Sequence, residues 1–452
     1  MDTDVLVMGG GMAGFAAGIV ASETGLNTML LRKGQGATSY SSGAIDIMGY
    51  FPGFSDAFDS PEDGLKVLAG LAPFHPYSIL GYNKDGSIGT TQVIIDQVKQ
   101  SVDWLKNQLD GTPAALSGSF EKNIHPITVL GTTKPTCLVQ ETMDPGSFSE
   151  DDVLTFVGIR GLVSFNAPVA AKSFLDQQAR IGYPPHKVSH VIIDLSPFGI
   201  PYNISPISIA RHLDHTGSID TVIDQLSSHV KALNTTVLAL PPILGLRHAR
   251  RNLNRLESEL GVRAFELLSL PPSVPGYRLI HSLENRFLEN NGKILDGHTA
   301  VQGNKEQREV KSVLVKTPRR ELTINAKAFI LATGKFIGGG IQPTENGLKE
   351  PVFNLLPVDE RFIEASTLRA DKQTEILSLP QNGHGIFAAG LSVDPFFHPI
   401  DESGLPDAEN LFCAGSIIAG NNYSSVKNGL GVSLSTGYQA GKNAVDYVKE
   451  VS

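Results

Sequence analysis

Cysteine is nearly absent: Cys137 and Cys413 are the only two among 452 residues. Far apart and outside any Cys-x-x-Cys or Cys/His cluster, they form neither a disulfide framework nor a zinc or iron–sulfur motif, so an intracellular protein is expected. Also missing is any apolar run near the roughly 20 residues that cross a bilayer, because Gly, Pro or charge interrupts each candidate. Asp2 and Asp4 stand where a secretory leader would carry basic residues, so no leader is expected, and membrane contact is expected only through a partner. Basic charge is in deficit: 37 Lys and Arg against 46 Asp and Glu leave −9, which disfavours a nucleic-acid-binding surface. What remains is ordinary globular composition, 41% hydrophobic and 18% charged, which argues against disorder. A chain of this length exceeds the size at which one core stops growing, so two domains are the default.

The most informative stretch lies at the start. Val5 to Val7 reads as a buried strand and Met12 to Val20 as a helix packed on it, with Gly9-x-Gly11-x-x-Gly14 between them. The first glycine permits a tight turn, the second lets backbone approach a pyrophosphate, and the third lets helix and strand touch. Unpaired N–H groups and a partial positive charge at the helix start suit a phosphate. Gly9, Gly10, Gly11, Met12, Ala13 and Gly14 are therefore candidate nucleotide-binding residues. A second strand, Thr28 to Leu31, completes a βαβ unit. Its end departs from the usual pattern, in which an acidic residue accepts hydrogen bonds from a ribose: Arg32 and Lys33 stand there. A cation accepts no hydrogen bond from a hydroxyl but pairs with a phosphate.

Further segments complete the pattern. The loop from Gly34 to Ile45 is dense in Ser and Gly, and its Ser41, Ser42 and Gly43 can line a surface against a flat ligand. Pro275 to Asn291 reads as a helix, Lys293 to Leu295 as a strand, and residues 298 to 329 as a small β-meander. The apolar strand that follows ends in Ala332-Thr333-Gly334. Near the C-terminus another strand reaches Gly415 and Ser416, and Asn428, Gly429, Gly431 and Val432 open a glycine-rich helix running to about Val448. Between these parts, strands at 153–158, 188–195, 235–240 and 262–268 alternate with helices at 167–181 and 219–233.

These segments predict an α/β protein: a Rossmann-like FAD/NAD(P)-binding flavoprotein fold with a β-meander and an inserted α/β domain. The expected division assigns 1–50, 271–345 and 396–452 to the flavin-binding domain, 51–270 to the insertion, and 346–395 to a segment returning to the insertion.

Blocks spread over most of the chain carry a family resemblance. They are His75 to Gly81 (HPYSILG), Val157 to Phe165 (VGIRGLVSF), Leu270 to Leu279 (LPPSVPGYRL) and Leu331 to Gly340 (LATGKFIGGG). In these the chain resembles the B subunit of anaerobic glycerol-3-phosphate dehydrogenase. The resemblance implies a complex of three different chains: a flavoprotein that oxidises the substrate, this chain with a second flavin, and an iron–sulfur protein. That complex sits on the cytoplasmic face of the cell membrane and passes electrons to quinone. The flavin so implied is FMN, which needs no ribose clamp; FAD is the alternative, because the helix and meander scaffold shields an adenine. If this chain itself oxidises substrate, His75 is the first candidate base and His384 the second. Arg160, Arg211 and Arg278 are then candidate phosphate ligands, and Lys335 could steer the flavin's charge. Two other readings are a fumarate reductase or aspartate oxidase-like flavoenzyme and a flavin-free assembly protein.

Overall fold

The computed structural model describes residues 1–452 apart from 55, 84–85, 182–184, 186, 197–198, 200–202, 346, 360–372, 379 and 381–382. The chain divides into two compact units. The first comprises residues 1–37, 46–108 and 283–452, and the second 38–45 and 109–282.

In the first unit a seven-stranded sheet is built around Asp2–Met8. That strand lies parallel between Thr28–Arg32 and Glu321–Leu331, and Lys293–Asp296 extends the sheet beyond Thr28–Arg32. Glu321–Leu331 changes character along its length. Its first half alternates and pairs antiparallel with Glu309–Lys316 in the meander, whose outer strand is Thr299–Glu306. Its last residues, Ala328 to Leu331, are all buried, as expected where parallel strands flank it on both sides. The other parallel neighbour there is Leu411–Cys413.

Two helices cover the cradle end of this sheet. Met12–Glu23 is buried almost throughout, and the terminal helix Gly429–Glu450 packs along it through small residues. A Cβ at Gly437 would stand 2.4 Å from Ala13 O, and one at Gly441 2.8 Å from Ala17 O.

The structure divides the chain differently from the sequence reading. Residues 51–108, expected in the insertion because of their Pro and Gly, cluster with the first unit, as do the described residues of 346–395. The physical reason is the helix Thr91–Leu109. It buries Ile94, Ile95, Val98, Val102 and Leu105, sets Ser101 Oγ 2.8 Å from Ser435 Oγ on the terminal helix, and packs Trp104 against Tyr438 with the rings tilted by 48°.

The second unit has its own core. A parallel four-stranded sheet runs in the order Lys187–Ile193, Val153–Ile159, Val237–Leu240, Arg263–Glu266. Helices Ala167–Ile181, Pro206–Leu213, Asp220–Leu233 and Ala249–Leu260 supply Phe174, Ile209, Leu226 and Leu256 to that core.

Candidate functional site

The glycine cradle is made of backbone in contact. Gly9 sits at φ +124°, where a Cβ would stand 2.1 Å from Ala332 O, and a Cβ at Gly14 would stand 1.8 Å from Gly9 O. Any side chain at either position would push strand, turn and helix apart. Gly11 precedes the helix Met12–Glu23 in extended conformation, and no side chain caps that helix. Thr333 and Gly334 close the neighbouring strand beside Gly9. Gly334 takes φ +72°, and the Thr333 hydroxyl is buried without a hydrogen-bond partner among the described residues. Gly415, at φ +79°, donates its N–H to Thr436 Oγ1 at 2.8 Å and packs against Ala13, while Ser416 Oγ lies 3.5 Å from where a Gly334 Cβ would be.

The terminal helix opens in a similar way. Asn is among the best helix N-caps, yet Asn428 makes no capping bond: its side chain is fully buried and its Oδ1 has no partner among the described residues. Gly429, Gly431 and Val432 form the first turn, and a Cβ at Gly431 would collide with Asp46 O at 2.3 Å. Two open helix starts, glycines that tolerate no Cβ and the orphaned Thr333 and Asn428 oxygens fit a ligand with a pyrophosphate and a polar, flat head group. A flavin nucleotide has both.

At the second strand's end the geometry corrects one expectation. Arg32 does not offer its guanidinium to a phosphate. Its Nη1 and Nη2 lie 3.1 and 3.2 Å from the Glu284 carboxylate, and its Nε is 3.0 Å from Asp296 Oδ1. Arg32 and Asp296 are register partners on adjacent strands, and Arg32 holds the Asp296 carboxyl below the usual carboxylate range. Carboxylates therefore do stand at this strand end, supplied by residues 284 and 296. Sequence reasoning missed them; an acid ending the neighbouring strand was the only signal. Lys33 is exposed. Ser41, Ser42 and Gly43 belong to the second unit, where Ser41 Oγ donates to Thr38 O at 2.7 Å and a Cβ at Gly43 would meet Pro275.

His75 is buried in the first unit as the N-cap of Pro76–Ile79. Its Nδ1 accepts the Tyr77 N–H at 3.1 Å, so the ring proton sits on Nε2, which is 3.1 Å from Asn421 Oδ1. Burial pushes its pKa down to about 4; the Asn421 bond opposes the shift and the charge of Lys335 adds to it. Both ring nitrogens are thus engaged and the imidazole is held neutral. Lys335 is buried as well. Its Nζ donates to Phe387 O and lies 6.0 Å from the centre of the Tyr423 ring, and desolvation lowers its pKa to about 7. His384 instead staples a loop, with Nδ1 accepting the Glu375 N–H at 3.0 Å and Nε2 3.2 Å from Ser378 O.

The expected phosphate-binding arginines are not brought together. Arg278, in the second unit, is fully buried in a fork with Glu266, at 2.6 Å (Nη1 to Oε2) and 2.9 Å (Nη2 to Oε1). Its Nε donates to Gly245 O at 2.7 Å, so it has no face left for a substrate. Arg160 is an exposed partner of Asp194 at 3.2 Å, and Arg211 is exposed in the last turn of Pro206–Leu213. Among the described residues no cluster of His, Cys, Asp and Glu could hold a metal, and no helix is long and apolar enough to cross a membrane.

The family model described as FAD binding domain matches residues 4–434. The B subunit of anaerobic glycerol-3-phosphate dehydrogenase from Vibrio cholerae is 28% identical over 444 residues, 97% of this chain and 96% of that protein. Its counterpart from Vibrio vulnificus is 28% identical over 465 residues, covering 100% and 98%. Among solved structures, 3-ketosteroid Δ1-dehydrogenase from Sterolibacterium denitrificans aligns over both whole chains at 11% identity with a TM-score of 0.43. The family match supports a flavin cofactor and, of the two expected, FAD; it lends FMN no support. The chain is thus an oxidoreductase flavoprotein that belongs to the FAD binding domain family, and its likeness to the B subunit of anaerobic glycerol-3-phosphate dehydrogenase runs nearly end to end.

Proposed function

We propose that this chain is the FAD-carrying B subunit of a glycerol-3-phosphate dehydrogenase complex. In that role it relays the electrons released when sn-glycerol 3-phosphate becomes dihydroxyacetone phosphate. A bound flavin supplies the electron chemistry, taking up a hydride equivalent and passing electrons on. The chain's own residues hold and insulate it. The Gly9–Gly14 turn and the open start of Met12–Glu23 would take the pyrophosphate, the Glu284 and Asp296 carboxylates lie where a ribose would need acceptors, and the Gly429–Glu450 start would meet the pyrimidine edge.

The observation that carries a relay role over direct substrate oxidation is the state of His75. A general base must be free to take a proton near the working pH, whereas this ring has both nitrogens engaged and a pKa near 4. The arginines that would bind the substrate phosphate are exposed or spent on a carboxylate. Cys137 and Cys413 stand in no cluster of His, Cys, Asp and Glu among the described residues, so this reading places the iron–sulfur carrier on a partner. Under this reading the partners are a flavoprotein that oxidises glycerol 3-phosphate and an iron–sulfur protein of the same complex. Quinone is the final acceptor, and the complex is peripheral to the inner face of the cell membrane.

An anaerobic visible spectrum tests the proposal. The purified chain should be yellow, should release FAD in acid, and should bleach with glycerol 3-phosphate only when the substrate-oxidising flavoprotein is present. Rapid bleaching of this chain alone would overturn the relay, and a colourless protein would overturn the flavin assignment.

A further inference from the structure

Lys335 is 4% exposed and forms no ion pair among the described residues. An ammonium has three donors, and this one spends a single bond on Phe387 O and rests near the face of Tyr423. A buried cation without a counter-charge is costly, so such a site either sheds its proton or awaits an anion. Among the described residues the titratable neighbours supply none. His75 is neutral with its pKa pushed down, and burial raises the Tyr423 phenol, which stays protonated.

A second observation points to a ligand at the same place. Asn428 Nδ2 is 3.5 Å from His75 Nε2, that nitrogen is 3.1 Å from Asn421 Oδ1, and Lys335 Nζ lies 6.0 Å from the ring centre of Tyr423, two residues beyond Asn421; Asn428 Oδ1 is a buried acceptor with no donor among the described residues. The cluster therefore offers unspent donors on Lys335 and an unspent acceptor on Asn428, beside an uncapped helix start. The pyrimidine edge of an isoalloxazine complements this set, since it carries acceptors at N1 and the C2 carbonyl and a donor at N3.

We propose that Lys335 is the proton-linked counter-charge of the flavin site, its ammonium balancing the negative charge that two-electron reduction adds. This inference rests on the flavin reading above. Reduction then brings two electrons and one proton to the flavin and, over a window of pH, a second proton from solvent to Lys335. The sign follows from linkage. Burial already lowers the Lys335 pKa from the ordinary lysine range, and the negative charge of a reduced flavin would raise it above its value beside the oxidised one. Below both values the lysine is charged throughout and reduction is favoured; between them each reduction takes up an extra proton; above both the help is gone.

The test is an anaerobic redox titration of the flavin-loaded full chain from pH 6 to 9, comparing the parent with Lys335→Met. At pH 6 the reduced-to-oxidised ratio at a fixed potential should fall at least tenfold in the variant, and the gap should close as pH rises. Proton uptake by the unmutated protein, followed with an indicator dye during photoreduction near pH 8, should be roughly two per flavin rather than one. Uptake of one proton at every pH, or a loaded variant within twofold of the parent throughout, would overturn the assignment. The uptake measurement decides the matter even if Lys335→Met loses its flavin. A parent protein that carries no flavin would instead overturn the function proposed above.

Discussion

Replacing Glu266 by Gln should be among the most damaging single changes in the second unit. The Arg278–Glu266 fork has no exposed atoms on either side, and the carboxylate also accepts the Leu244 N–H and the Thr142 hydroxyl, each at 2.7 Å. A glutamine keeps one acceptor oxygen, turns an NH2 group toward existing donors and leaves the guanidinium charge uncompensated. Breaking a buried pair from one side costs about 3–5 kcal/mol, whereas replacing both partners by apolar residues of similar volume is close to neutral. At the 2–4 °C per kcal/mol typical of a unit this size, Glu266→Gln should lower the Tm by about 6–20 °C. Arg278→Met should do the same, and the double variant Arg278→Met with Glu266→Leu should recover most of the loss. Calorimetry on the three variants and the parent checks this, with acid-extracted flavin per chain measured alongside. Single variants within 1 °C of the parent would refute the reasoning, as would a double variant whose loss equals the sum of the singles. If Arg278→Met kept its stability but raised the KM of the assembled complex for glycerol 3-phosphate tenfold, the arginine would belong to substrate binding after all.

Other consequences can be checked separately. Gly9→Ala places a Cβ 2.1 Å from Ala332 O at a positive φ, so the purified variant should carry less than a tenth of the parent's flavin by absorbance. His75 is depressed from about 6.5 to about 4, so stability should be full above pH 6.5, fall as pH drops toward 4, and level off below. Urea midpoints across that range should show the slope, and His75→Gln should flatten it. Arg160→Ala removes only an exposed pair and should shift stability by less than about 0.5 kcal/mol, leaving substrate KM unchanged in the reconstituted complex. Gly437→Leu should lower the Tm by several degrees, because no side chain fits over Ala13 without parting the two helices.

The flavin half was legible where local pattern and backbone demand coincide. Val5 to Gly14 announces strand, turn and helix because only glycine satisfies the close approaches found there, and the meander announces itself by alternation up to Ala328. Helix Ala249–Leu260 was not legible, since its inward stripe is narrow and includes Asn252, a polar residue that bonds Leu213 O and Leu244 O. Helix Thr91–Leu109 was hidden by the Pro- and Gly-rich chain before it. Arg32 was correctly singled out as unusual, but its partners depend on the register with Asp296 and on a glutamate nearly three turns into a helix, and neither is visible in a linear reading. His75 shows the same limit: a histidine before proline signals an extended residue, but its neutral state comes from Tyr77 and Asn421, the latter distant in sequence.

The first unit is assembled from three separate stretches, and that bears on how the protein is made. The strand Asp2–Met8 leaves the ribosome long before its partner Glu321–Leu331 and the helix Gly429–Glu450 that covers its turn. Residues 109–282 are complete by then and have a core of their own. Synthesis therefore runs ahead of assembly: the middle of the chain can settle while the early strand, which has Thr28–Arg32 for one edge, keeps its other edge open for a segment made hundreds of residues later. Under the function proposed above, a product cut short before Gly429 would keep its central unit but lack the helix start assigned to the flavin, so only chains carried past that helix would take up cofactor.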